Sequence, residues 1–94
     1  SNTSLKYANL RDAILEEAEL YDADLTFASL GKANLDGATL NKVQLIGADM
    51  NHASLKRASL WEANLSRAEL TEANLDNADL WRANLNKAQL VGYL

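Results

Sequence analysis

Trp61-Glu62-Ala63-Asn64-Leu65-Ser66-Arg67-Ala68-Glu69-Leu70-Thr71-Glu72-Ala73-Asn74-Leu75-Asp76-Asn77-Ala78-Asp79-Leu80 carries a beat of five residues. Leu stands at 65, 70, 75 and 80, and Ala stands two residues earlier at 63, 68, 73 and 78. The same beat fills nearly the whole chain. Of the positions divisible by five from 5 to 90, seventeen are Leu and one is Met50. Of the positions two before them, from 8 to 88, sixteen are Ala and one is Val43.

Neither regular element accepts this period. On an α-helix five residues advance about 500°, so successive Leu side chains would spread around the whole circumference. On one long strand an odd step flips the face, so alternate Leu would point to opposite sides. Ala and the Leu two positions later do share a face of an extended segment. The pattern therefore predicts a short extended piece with Ala and Leu inward, then a bend, repeated every five residues. Bends of one hand close into a coil, and stacked coils make a β-solenoid centred on Leu and Ala.

Outward charges set the coil length, because stacked residues lie about 4.8 Å apart and opposite signs favour that approach. A coil of four pentapeptides stacks six opposite-sign pairs against three like-sign pairs. The six are Asp12–Lys32, Asp22–Lys42, Lys42–Glu62, Glu62–Arg82, Asp36–Lys56 and Lys56–Asp76. Coils of three and of five pentapeptides give three against two and three against four. Four units per coil means a square cross-section and between four and five coils.

The units Ala33-Asn34-Leu35, Ala63-Asn64-Leu65, Ala73-Asn74-Leu75, Ala78-Asp79-Leu80 and Ala83-Asn84-Leu85 match the signature A(D/N)LXX. In this the chain resembles the pentapeptide repeat family, over about residues 4–92. The resemblance implies an all-β, right-handed quadrilateral β-helix, four pentapeptides to the coil. Handedness comes from the resemblance alone. The whole chain, 1–94, reads as a single domain of this kind, with Ser1-Asn2 set aside as a tag-removal scar.

Composition narrows the functional classes. The chain has no cysteine and no proline, so it holds no disulfide framework and no thiolate zinc site. No apolar run approaches the roughly 18 residues of a membrane span, and no signal segment opens the chain; a cytoplasmic location is slightly favoured. A net charge of −4 argues against direct nucleic-acid binding. One histidine and four scattered glycines provide neither a relay, a multi-histidine metal site nor a phosphate loop. A Leu-filled centre leaves no room for a substrate, and carboxylates on a convex surface stay solvated, unlike a sheltered acid–base pair. No enzyme, metal or cofactor is expected.

The departures from the beat are the informative residues. Trp61 and Trp81 are four units apart and share an outer column headed by Tyr21, with Asn41 between. Beside it run Asp22, Lys42, Glu62 and Arg82. Exposed Trp with Tyr and Arg suits an interface anchor, so Tyr21, Trp61, Trp81, Glu62 and Arg82 form the candidate partner-binding face; a stiffening ladder with Arg82 over a ring is the structural alternative. Tyr7 and Phe27 are expected to stack, with Ile46 nearby, and to shield backbone. His52 is expected to pair with Glu72. Val43 and Met50 read as local repacking of the core.

At the far end Tyr93 falls in an Ala slot and reads as a plug across the core, or as the mark of a longer protein. Leu90, Val91, Tyr93 and Leu94 are the candidate end-to-end interface, through which a homodimer is expected, because an open solenoid end bares Leu and unpaired backbone.

The leading function is a non-catalytic scaffold or protein–protein interaction module. Two alternatives stand beside it: the repeat segment of a larger protein, and a DNA mimic that binds gyrase. Members linked to quinolone resistance imply the latter. Three faces here carry a net −2, those of Leu10, Leu15 and Leu20, while that of Leu5 carries +2 with Lys6, Arg67 and Lys87. A mimic needs a longer and more continuous acidic track.

Overall fold

The chain winds as the period predicts. The computed structural model describes residues 3–92, so Tyr93 and Leu94 lie outside the described residues. Residue n bridges residue n + 20 in parallel from Ser4–Asp24 to Glu69–Gln89. Four full coils (3–22, 23–42, 43–62 and 63–82) and a half coil (83–92) follow one another. The extended pieces are so short that each contributes a single bridged residue, the one between Ala and Leu, rather than a strand. The body measures 32 × 26 × 25 Å.

Each corner is a four-residue turn closed by a hydrogen bond from the Ala N–H to the preceding Leu carbonyl, as from Ala8 to Leu5 at 3.1 Å. The residue just before Ala stands at positive φ, between 56° and 63° for the fifteen that are not glycine. Negative φ followed by positive φ is the type II turn. Left-handed backbone costs a residue with a Cβ about 1 kcal/mol. The offset comes from the coil itself: the same residue's N–H donates to the next coil, as Asp22 does to the Asn41 carbonyl at 3.0 Å.

The Leu N–H also donates forward, as from Leu40 to Ser59 at 2.7 Å, while the bridged residue donates backward, as from Ser59 to Ala38 at 2.9 Å. That leaves the amide just after Leu. Wherever the residue before Leu is Asn or Asp, namely 9, 24, 34, 49, 64, 74, 79 and 84, its side-chain oxygen accepts that N–H, at 2.9 to 3.2 Å. This is the physical reason for the second letter of the repeat.

Where that position is Ser54, Ser59 or Glu69, the acceptor comes from the coil before. Asp36 takes the N–H of Lys56, Asn41 that of Trp61, and Asn51 that of Thr71. Ser54 and Ser59 donate their hydroxyls to the same Asp36 and Asn41.

The core matches the expectation. Ala and Leu from Ala23 to Ala73 are at most 2% exposed, and Val43 and Met50 are fully buried among them. Burial on this scale is worth about 25 cal/mol per Å² of apolar surface. The end coils are open, with Leu5, Leu10, Leu15, Leu20, Leu75, Leu80 and Leu85 only partly buried.

The charge ladders are the main correction. Of the six expected opposite-sign stacks, only Lys42–Glu62 closes to an ion pair, at 3.9 Å, among the described residues. Asp36 spends its carboxylate on Ser54 and on the Lys56 backbone instead, and is nearly buried. Backbone N–H groups are nearer and already ordered, so they win the carboxylate from a mobile ammonium. Arg11 reaches past Gly31 to Asp49 at 3.9 Å, a link across two coils that column counting misses.

Candidate functional site

Trp61 and Trp81 meet as expected, but edge to face: the ring centroids are 6.0 Å apart and the planes inclined by 66°. Both rings are rooted in capped backbone. The Trp61 N–H donates to Asn41 Oδ1 at 3.1 Å and the Trp81 N–H to Asp79 Oδ1 at 3.1 Å. Trp61 is half-buried under its neighbour, whereas Trp81 is 55% exposed.

The Arg82 guanidinium carbon lies 4.6 Å from the Trp81 ring centroid, within cation–π range. Arg82 therefore turns to the ring, and Glu62 pairs with Lys42 instead. Trp61, Trp81, Arg82 and Glu62 come together on one side of the last coils. Tyr21 stands apart: it is exposed, two coils above Trp61, and the coil between is occupied by Asn41, whose side chain is folded onto backbone.

Two further expectations hold. Tyr7 and Phe27 stack with centroids 5.7 Å apart and planes 13° from parallel. Phe27 lies on Gly47, its Cε1 only 2.5 Å from where a Cβ would be, so the ring shields that turn. His52 Nδ1 lies 3.3 Å from Glu72 Oε1. Asp24 was not singled out by the sequence. The Thr26 hydroxyl and then the Thr26 N–H hold its carboxyl below the ordinary range, opposed by partial burial and helped by Lys6 at 3.8 Å.

At the end of the chain, Leu90 is 39% and Val91 63% exposed; their expected companions Tyr93 and Leu94 lie outside the described residues. Among the described residues there is no concave pocket, no cluster of three His, Cys, Asp or Glu arranged for a metal, and no helix long and apolar enough to cross a membrane.

The model of the family described as pentapeptide repeats matches residues 1–26, 18–57 and 63–92, in eight copies. The chain belongs to the pentapeptide repeat family. A crystal structure of a pentapeptide repeat protein from the Arabidopsis thaliana thylakoid lumen overlays with a TM-score of 0.88 at 26% identity, covering 92% of this chain and 60% of that one. HetL from Nostoc sp. strain PCC 7120, a pentapeptide repeat protein involved in heterocyst differentiation regulation, overlays at 0.70 with 37% identity, covering 92% and 48%. A third, from Nostoc PCC 7120, shares 32% identity over 99% of this chain and 78% of its own, with a TM-score of 0.46. The chain thus spans 60% and 48% of the first two proteins. No curated protein sequence matches it. No enzymatic family is indicated.

Proposed function

We propose that this pentapeptide repeat chain is a non-catalytic, rigid protein-interaction module whose contact face is built on Trp81, backed by Trp61, Arg82 and Glu62, with Tyr21 as an outlying contact. Its winding is the right-handed quadrilateral one that the family resemblance implies. The close overlay on the Arabidopsis protein supports that hand, since a mirror-image coil would not superpose.

The observation that carries the reading is a large apolar ring, more than half exposed, that is nevertheless held in place. Trp61 braces its edge, Arg82 covers one face, and Asp79 caps the backbone beneath it. A partner meeting a ring already ordered loses little further side-chain entropy on binding. Trp and Arg are the residue types that most often dominate such contacts.

A DNA-like role draws less support. B-DNA as long as the solenoid's rise, about 22 Å for four and a half coils at the sheet spacing, would carry about 13 charges, against a net −4 here. Lys42 and Arg82 also interrupt the acidic column beside the Trp pair.

The test starts from a partner isolated with the chain as bait, then purified and titrated by calorimetry. Trp81→Ala should weaken binding about 30-fold with an unchanged circular dichroism spectrum. Equal affinity for the variant would reduce the Trp pair to a stiffening ladder.

A further inference from the structure

One edge of the solenoid differs from the other three in charge and in surface. The corner pairs 6–7, 26–27, 46–47, 66–67 and 86–87 stack into this edge, one pair to each coil. Its ten residues include Lys6, Arg67 and Lys87 and no Asp or Glu. Each of the other three edges carries at least two carboxylates, such as Asp22 and Glu62 beside the Trp pair. Since these three cations belong to a chain of net −4, the remainder carries −7. The edge is a cationic stripe on an acidic molecule.

The aromatic part of the edge is ordered. Phe27 is 53% exposed although a coil lies on either side of it. Its N–H donates to the Ile46 carbonyl at 2.9 Å, and Tyr7 stacks on its ring. Gly47 makes the seat: a Cβ there would stand 2.5 Å from Phe27 Cε1. Half-buried Ile46 shares that corner. The cationic part follows directly. Arg67 is exposed, also lies between two coils, and makes no ion pair among the described residues. Lys87 stands one coil further on, exposed. A fixed ring and an uncompensated guanidinium thus lie on one line.

We propose that this edge is a docking strip for an acidic segment of a partner protein, one that combines an apolar side chain with two carboxylates. Charge complementarity selects the acid: the strip offers Arg67 and Lys87 and holds no carboxylate of its own to repel it. Coil spacing sets the pattern. At about 4.8 Å per coil, the apolar side chain on Phe27 lies about 10 Å from the carboxylate on Arg67, and the second carboxylate about 5 Å beyond. The ring is already seated, so binding loses little side-chain entropy there. An anionic bilayer fits less well, because it is broader than the molecule and would also meet the carboxylates of the flanking edges. The strip is separate from the Trp81 corner: the side 23–25 and its equivalents in later coils lie between them. Neither reading depends on the other.

The test is an NMR titration of the isotopically labelled chain with three probes. They are a glutamate-rich copolymer of glutamate and tyrosine, polyglutamate, and vesicles of phosphatidylserine and phosphatidylcholine. The copolymer should bind at low salt and weaken as salt rises, with amide shifts centred on Phe27, Gly47 and Arg67. Polyglutamate, which lacks the apolar side chain, should bind about tenfold more weakly, as should the copolymer to Phe27→Ala. Arg67→Glu should also cost about tenfold, whereas Lys32→Glu, the same charge change on another edge, should leave affinity within about twofold. No binding of the copolymer, or shifts centred on another edge, overturns the proposal. Equal losses for Arg67→Glu and Lys32→Glu overturn it too, since net charge alone would then explain the binding. Vesicle binding that is tighter than copolymer binding and lost in Arg67→Glu overturns it in favour of a membrane.

Discussion

Asn41 Oδ1 accepts the main-chain N–H of Trp61 at 3.1 Å and the Ser59 hydroxyl at 2.6 Å, both a coil further on. One side chain thus holds the corner from which Trp61 projects. Asn41→Ala should cost about 1–2 kcal/mol in urea denaturation, because a half-buried amide and a hydroxyl lose their acceptor. Asn41→Asp should cost far less, since Asp36 makes the same pair of contacts. An alanine variant as stable as the parent would mean that water replaces Asn41 without penalty.

Ile14 occupies a bridged position where Asn or Asp elsewhere caps the amide two residues on, and it is 80% exposed. Ile14→Asn should raise stability by about 1 kcal/mol, the usual worth of such a cap. The denaturation midpoint measures it. No gain would indicate that water already satisfies the Glu16 N–H at the open first coil.

Gly47 and Gly31 should respond differently to alanine. Gly47 has φ +66° and lies under Phe27, so Gly47→Ala adds backbone strain and pushes the ring off, for about 2 kcal/mol. Gly31 lacks the positive φ, and the atom in the way is the movable Nη1 of Arg11, 2.7 Å from the added Cβ. Gly31→Ala should cost under about 0.5 kcal/mol while loosening Arg11 from Asp49. Equal losses at the two sites would contradict this division.

Asp24 should shape the acid limb of stability. Its folded pKa lies below the unfolded value, because the Thr26 hydroxyl and N–H and then Lys6 favour the charged form. The resulting stabilisation is complete above the unfolded pKa and is lost as pH falls through the folded one. Asp24→Asn should flatten stability across that acid window, matching the parent below the folded pKa and falling below it near neutrality. An identical acid limb would move the effect to another carboxylate.

The period of five was legible because the core consists of one repeated pair, Ala and Leu, with few departures. Coil length was legible from charge pairs even though most of them do not close. Long Lys and Glu side chains avoid like neighbours without settling into fixed bridges, and Lys42–Glu62 is the exception. Two things lay out of reach. Left-handed corners gave no signal, because most carry residues such as Tyr7, Glu62 and Arg82 in place of glycine. The capping role of Asn and Asp could not be read before the bond each backbone N–H makes was known; only then is the amide after Leu seen to be left over. At the Trp face, the shared column of Trp61 and Trp81 was legible, but the choice of Arg82 for the ring over Glu62 depends on side-chain geometry.

The register of four pentapeptides per coil also makes chain length act like a dial. Removing one pentapeptide from the middle coils would keep Ala and Leu inward and every corner intact. Everything after the cut would turn by a quarter revolution relative to what precedes it. Trp81 would then leave the side that Tyr21 occupies, at little cost in folding energy. Deleting four pentapeptides would shorten the rod by one layer and restore the alignment. In this architecture insertions and deletions in steps of five reorient whole surfaces, while the core never registers the change.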